Sequence, residues 1–356
     1  MPTFKTGRVA SILEEREGLQ RVSVHLGTEI ENAFVLTQLT GEVSVGSNVV
    51  VNTTAVDLGL GTGGWHVVHW NLDREEWSNL GPGHIMKLRY TSLQVDAGSA
   101  EERHPELINA SEIDGMPVVY VPLHSQLPAA ILGIKSVSPD ARIAYVMTDG
   151  AALPIAFSDL VASLRDKNLI DVTVTSGHAF GGDLEAVSPP AALLAAKIAG
   201  ECDVAVVAMG PGIVGTGSKF GHTGVEGVTW LDTTRSLGGV PVAALRVSFA
   251  DERVRHQGVS HHTLNSLSTL GGDGVHVVVP TVGGEEESKI RADLHSSGIE
   301  QRHNIVSASA PDIFAAFEAN DLIVGSMGRP ASADPILFQA AAAAGAYAAT
   351  MFRTES

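Results

Sequence analysis

The sequence predicts an α/β chain in two parts: a small N-terminal β-barrel or sandwich, followed by a doubly wound, mainly parallel sheet. Three observations predict it. Over residues 1–97, short runs alternate apolar and polar or are rich in Val and Thr. From residue 117 the pattern becomes apolar run, loop, helix, repeated. Those runs hold four to seven residues and do not alternate, the character of strands buried on both faces of a parallel sheet.

In chain order, residues 8–13, 20–26, 31–36 and 42–51 read as strands, with turns at Glu17-Gly18, Gly27 and Thr40-Gly41. Short strands at close spacing suit a barrel or sandwich. A glycine-rich link, residues 52–64, leads to a strand over 65–70, and residues 81–93 read as a further strand. Residues 98–116 are rich in Asp, Glu, Ser and Gly, carry Pro105, and read as a linker. The expected domains are therefore 1–97 and 117–356.

In the second part, strands are expected at 117–123, 142–147, 171–175, 204–209, 240–247 and 275–279, with a weaker one at 304–307. Helices follow them. Ser188-Pro189-Pro190 opens one, with serine at the cap and proline in the first turn. The alanine-rich run 339–350 fits a close-packed core helix, and its small side chains also suit the interface of a homodimer.

Composition narrows the function. Hydrophobic residues make up 44% and charged residues 18%, a globular balance. With 23 basic and 40 acidic residues the net charge is −17, which argues against a general grip on nucleic acid. The single cysteine, Cys202, excludes an internal disulfide. The first 18 residues lack the apolar core of a signal peptide, and no run of about 18 apolar residues occurs. These features predict a cytoplasmic protein that does not enter a membrane.

In doubly wound sheets, ligands bind beyond the carboxyl ends of the strands. Five successive strand ends carry polar groups: His124 with Ser125; Asp149; His178 with Asp183; a glycine loop; and Asp251 with Arg255 and His256. The glycine loop follows an apolar run and holds Gly210, Gly212, Gly215, Gly217, Gly221 and Gly224, with Ser218, Lys219 and His222 among them. Backbone N–H groups in such a loop can face an anion.

Three chemistries fit this set. In the first, the loop binds an anion or phosphate through Gly210, Gly212, Gly215, Gly217, Ser218 and Lys219, with His124 and Ser125 beside it. Gly210-Pro211-Gly212-Ile213-Val214-Gly215 matches a dinucleotide fingerprint in form only. Proline sits in the turn, and no acidic residue clearly ends the next strand. Gly217-Ser218-Lys219 inverts the order that a phosphate-binding P-loop requires. In the second, a divalent metal is held by ligands drawn from His124, Asp149, His178, Asp183 and His222. No H-E-x-x-H motif occurs, and His261-His262, being adjacent, are expected to point apart. In the third, His178 and Asp183 form a metal-free acid–base pair with His256 nearby. Ser125 lies in Leu123-His124-Ser125-Gln126, not in a G-x-S-x-G elbow.

Residues 52–64 (NTTAVDLGLGTGG), 83–91 (GHIMKLRYT) and the Leu123-His124-Ser125 turn resemble an uncharacterised bacterial family, found in actinobacteria and spore-forming firmicutes and known only as a domain of unknown function. The resemblance implies a two-part chain of bacterial origin and carries no activity or catalytic residue. It makes the 52–64 loop and the 87–91 segment part of the family's signature, and suggests that the β part closes over the α/β crevice. The reading to be tested is a hydrolase or transferase acting on a small anionic metabolite, with phosphorylated compounds among the candidates. The alternative is a metabolite-binding or scaffold protein without catalysis.

Overall fold

The computed structural model describes residues 1–60, 63–81, 83–151 and 153–352. Gly61 and Thr62 of the glycine-rich link, and Pro82 of the 81–93 stretch, lie outside the described residues. Two compact units are present, Met1–Gly98 and Ser99–Ser356. Residues 99–116 thus belong to the second unit.

The first unit is a closed five-stranded barrel. Its strands are β1 (Phe4–Arg16), β2 (Leu19–Leu26), β3 (Glu29–Leu36), β4 (Asn48–Asn52) and β5 (His66–Asn71), in the order β1-β2-β3-β5-β4. Every neighbouring pair is antiparallel except β3 with β5. Alternate residues turn inward, so Val9, Val22, Val24, Ala33, Val35, Val49, Val51 and Val68 fill the barrel. The strand expected over 81–93 shrinks to Met86–Lys87, paired with Val95–Asp96. Leu88 (φ 51°) and Tyr90 (φ 64°) are left-handed, which breaks extended backbone at that point.

The second unit carries an eight-stranded, all-parallel sheet. Its strands are β6 (Pro117–Tyr120), β7 (Ile143–Thr148), β8 (Val172–Ser176), β9 (Leu184–Ala186), β10 (Val204–Met209), β11 (Val240–Ala243), β12 (His276–Pro280) and β13 (Asn304–Ala308). They are ordered β9-β8-β7-β10-β6-β11-β12-β13. The α/β fold expected from the sequence is the one observed.

Successive residues of the central strands enter two different cores. Ile143, Tyr145 and Met147 of β7 face one side with Val119, Val204 and Val206. Ala144 and Val146 face the other with Val118, Ala205 and Val207. The first core is covered by helices α1 (Leu127–Val137), α2 (Asp159–Asp166), α7 (Ile313–Ala319) and α8 (Pro335–Ala349). The second is covered by α3 (Pro189–Leu194), α4 (Glu226–Ser236), α5 (His261–Thr269) and α6 (Gly284–Ser296). With both faces covered, the strands need no polar face, which is why their runs do not alternate.

The alanine-rich helix α8 lies in that interior, with Ala340 to Gly345 buried. A Cβ on Gly345 would lie 2.0 Å from the Ala130 carbonyl oxygen, and one on Gly133 would lie 2.1 Å from that of Ala342. The small side chains thus let α1 and α8 approach backbone to backbone inside the chain. Among the described residues no helix is long and apolar enough to cross a membrane.

Candidate functional site

Strand order determines where the sheet opens. β7 passes the chain outward to β8, while its neighbour β10 passes it across β6 to β11. Neighbouring strands whose connections diverge leave a crevice at their carboxyl ends. The loop and helix that follow β10 edge this crevice, and the segment that follows β11 stands beside it.

After β11 the chain folds back as a short hairpin, Val247–Ser248 against Gly258–Val259. Gly258 is left-handed (φ +70°), and a Cβ there would meet the Asp293 carboxylate at 2.4 Å. Asp293 accepts the Val259 N–H at 3.1 Å, so this glycine lets the hairpin seat on α6. The return strand delivers Ser260 to the start of α5. Its backbone N–H donates to the Arg246 carbonyl at 2.8 Å, and its hydroxyl accepts the His262 N–H at 3.3 Å as the helix cap.

That geometry gathers four histidines. The ring centroids of His261 and His262 lie 4.3 Å apart, and His256 lies 5.0 Å from each. His222, from the glycine loop, stacks on His262 at 3.7 Å with the planes 9° apart. His256 Nδ1 meets the Ser260 hydroxyl at 2.7 Å. Both ring nitrogens of His222, and His261 Nε2, are buried without a hydrogen-bond partner.

Burial, followed by the charges of Arg246 and Arg253, pushes His256 down to about 3. Burial likewise lowers His261, with Arg255 next in weight, and lowers His262, with His222 next. Desolvation also lowers His222. The cluster is therefore neutral at physiological pH.

Three arginines surround it. Arg253 is neutralised by two hydrogen bonds to Asp251, at 2.9 and 2.7 Å, which hold that carboxylate well below its usual range. Arg246 is only 4% exposed. Its guanidinium donates to His262 Nδ1 at 3.0 Å, and among the described residues no carboxylate touches it. Burial, with Arg253 next, lowers it to about 10. The Asp251 carboxylate acts on Arg246 only through space, since its hydrogen bonds go to Arg253. A buried guanidinium with no carboxylate in contact is costly, and a bound anion would offset that cost. Arg246 and His262 line one side of a cavity of about 20 Å³, enough for one water. Tyr120, Ile213, Val228 and Leu267 form much of the rest.

A second group sits at the fork of β7 and β10. Glu226, the first residue of α4, accepts a hydrogen bond from the Thr148 hydroxyl. Burial is the main cause that raises its carboxyl to about 7, with the Asp149 charge adding to it. Tyr120 steers this helix: its hydroxyl donates to the Gly224 carbonyl at 3.3 Å. Gly227 leaves room for the ring, since a Cβ there would lie 2.3 Å from it.

The residues expected from the sequence divide between these groups. His222 and His256 join the histidine cluster. Of the glycine loop, Gly215 faces His262 Nε2, 3.7 Å from where its Cβ would be, and Gly217 faces Arg255 at 3.9 Å. The exposed Ser218 hydroxyl meets that of Thr216 at 2.9 Å, and Lys219 lies over the Phe220 ring at 5.1 Å. Gly210 and Gly212 occupy the first turn of the loop, with Gly212 left-handed at φ +101°. Asp149 and His178 stand at the fork, where the His178 N–H donates to the Asp149 carboxylate at 3.3 Å.

Three expected residues are engaged elsewhere. Asp183, expected as the acid partner of His178, has its carboxylate bound to other groups. Its carboxylate clamps the Thr173 N–H at 2.8 Å, the Thr173 hydroxyl at 2.7 Å and Arg165 at 2.8 Å. His124 joins the Met209 carbonyl at 3.1 Å to the Ser158 hydroxyl at 2.7 Å, and burial lowers it to about 4. Ser125 pairs with Ser326 at 3.0 Å. Sequence reasoning missed Arg246, Glu226, His261 and His262. The serine before the histidine pair was the available signal, since a helix starting there turns both rings into one neighbourhood.

No curated protein matches the sequence. A family match spans residues 32–345, which covers most of both units. The chain belongs to the family described as "Protein of unknown function (DUF3866)".

Proposed function

We propose that the chain is a cytoplasmic enzyme, a hydrolase or transferase, acting on a small anionic, phosphorylated metabolite at the carboxyl ends of the parallel strands. The observation that carries this reading is Arg246, a buried guanidinium that no carboxylate touches among the described residues, set in a cavity wall against the His262 ring. Arg246 and the exposed Arg255 would hold the anion, which requires the one-water cavity at Arg246 to widen toward Arg255. The neutral rings would add N–H donors, and the glycine loop would border the ligand without side chains in the way. Glu226, with a pKa near neutrality, has both protonation states accessible for acid–base work.

The engagement of Asp183 and His124 in structural bonds favours a second reading, a metabolite-binding module without turnover. The two differ in whether product appears. Thermal unfolding against phosphorylated metabolites finds the ligand: at 100 times its dissociation constant it adds about 2.7 kcal/mol. In Arg246→Gln, at the same ligand concentration, the shift should fall to about half or less. Incubation with that ligand, followed by NMR of its phosphorus, separates enzyme from binder. A panel with no shift for any phosphorylated compound would sink both readings.

A further inference from the structure

We propose that His256, His261 and His262 form a mononuclear transition-metal site of the zinc class, with a fourth coordination position left for an exogenous ligand. This inference stands on its own geometry and goes beyond the anion reading. One nitrogen from each ring lies within 4.8 Å of the other two. Bonds of 2.0–2.1 Å in a tetrahedron require nitrogens roughly 3.3 Å apart, so small side-chain rotations close the set.

The second observation is His261 Nε2, buried with no hydrogen-bond partner. A buried polar atom left unpaired is costly unless something fills the gap. The supporting contacts are of the kind that metal sites use. Ser260 binds His256 on Nδ1 and leaves Nε2 for a ligand bond. His222 lies flat on His262 and fixes the plane of that ring.

The donor set selects the metal. Three imidazoles with no carboxylate among them suit zinc and its neighbours and disfavour magnesium or calcium, which seek oxygen. Three protein ligands with one open position is the pattern of zinc sites that work on a substrate.

Arg246 sets a condition on binding. Its guanidinium donates to His262 Nδ1. Coordination through Nε2 moves the ring proton to Nδ1, where it would face another donor. Metal uptake therefore requires Arg246 to release His262, and this leaves the guanidinium available to an anion.

The test uses chelator-treated full-length protein. Calorimetric titration with zinc chloride should give one metal per chain. His256→Ala and His261→Ala should each weaken uptake at least about 100-fold. His295→Ala, on an exposed ring, should leave it unchanged. If either cluster variant fails to fold, cobalt titration of the unmodified protein decides, since a low-coordinate cobalt–nitrogen centre has strong visible bands. Less than one zinc per chain, unchanged affinity in both cluster variants, or cobalt bound without those bands would overturn the proposal. Inorganic phosphate titrated into the metal-free protein reads the anion site separately. Phosphate binding without zinc uptake removes the metal site alone, and zinc uptake without phosphate binding removes the anion reading alone.

Discussion

Arg246 Nη1 lies 3.0 Å from His262 Nδ1, and a guanidinium only donates. The neutral His262 ring therefore accepts on Nδ1 and carries its proton on Nε2. This single contact links the two ligand chemistries of the site. Arg246→Gln removes the positive charge that would meet an anion, and a hydrogen bond to a charged group contributes about 1.5–3 kcal/mol. Phosphate affinity should fall about 10- to 100-fold, while zinc affinity should rise as His262 is released. Calorimetry reads both, and an unaltered phosphate affinity would remove Arg246 from the anion site.

Glu226 should make the protein less stable as the pH rises. The folded chain holds this proton up to about pH 7, whereas the unfolded carboxyl releases it near the ordinary glutamate value of 4.5. The stabilisation is complete below pH 4.5 and is lost as the pH rises through 7. One pKa unit corresponds to about 1.36 kcal/mol, so the loss approaches about 3 kcal/mol. Glu226→Gln keeps an acceptor for the Thr148 hydroxyl without the charge. It should flatten the denaturation profile between those pH values and exceed the parent in stability at pH 8. Equal slopes in the two proteins would refute the assignment.

The contact of α1 and α8 should not tolerate a methyl group. Gly345→Ala would place a carbon 2.0 Å from the Ala130 carbonyl oxygen, so the two helices must separate. Overpacking of this kind costs about 1–3 kcal/mol. Gly133→Ala should cost a similar amount. The two substitutions together should cost less than their sum, because the first already opens the gap. Urea denaturation of the three variants measures this, and full additivity would show that the sites relax independently.

The sheet was legible because its strands are buried on both faces and show as unbroken apolar runs. Its order was not, since β10 inserts between β6 and β7 through contacts far apart in sequence. The carboxyl ends were the place to look by the rule for doubly wound sheets, and His222, His256 and part of the glycine loop meet there. Arg246 was hidden inside an apolar stretch read as one strand over 240–247, which in fact ends at Ala243. His261 and His262 were expected to diverge, as neighbours on a strand do. In the first turn of α5 they are about 100° apart, and the rings meet.

Asp183 shows the converse case, a polar residue at a strand end with a structural task. The Thr173 N–H that it binds belongs to a residue with no exposure to solvent. Asp183→Ala leaves that donor unpaired, at a cost of about 1–3 kcal/mol. Phosphate and zinc affinities should stay at the parent level, because neither the histidine cluster nor Arg246 touches it. Loss of ligand binding at a temperature where the variant is fully folded would return Asp183 to the site.

Ser260 separates a helix cap from a support for the histidines. Its hydroxyl accepts the His262 N–H and also meets His256 Nδ1. Removal of a cap alone costs about 1 kcal/mol of stability and leaves ligand affinity unchanged in the folded fraction. Removal of the hydrogen bond that orients a metal-binding ring weakens the metal about 10- to 100-fold. Ser260→Ala should show both losses, because His256 then has a free choice of ring orientation and tautomer. Ser260→Thr keeps the hydroxyl and should recover most of the zinc affinity even if the extra methyl strains a residue with no exposure to solvent. Stability lost in Ser260→Ala with zinc affinity intact would reduce Ser260 to a cap and leave His256 without the support that the metal site requires.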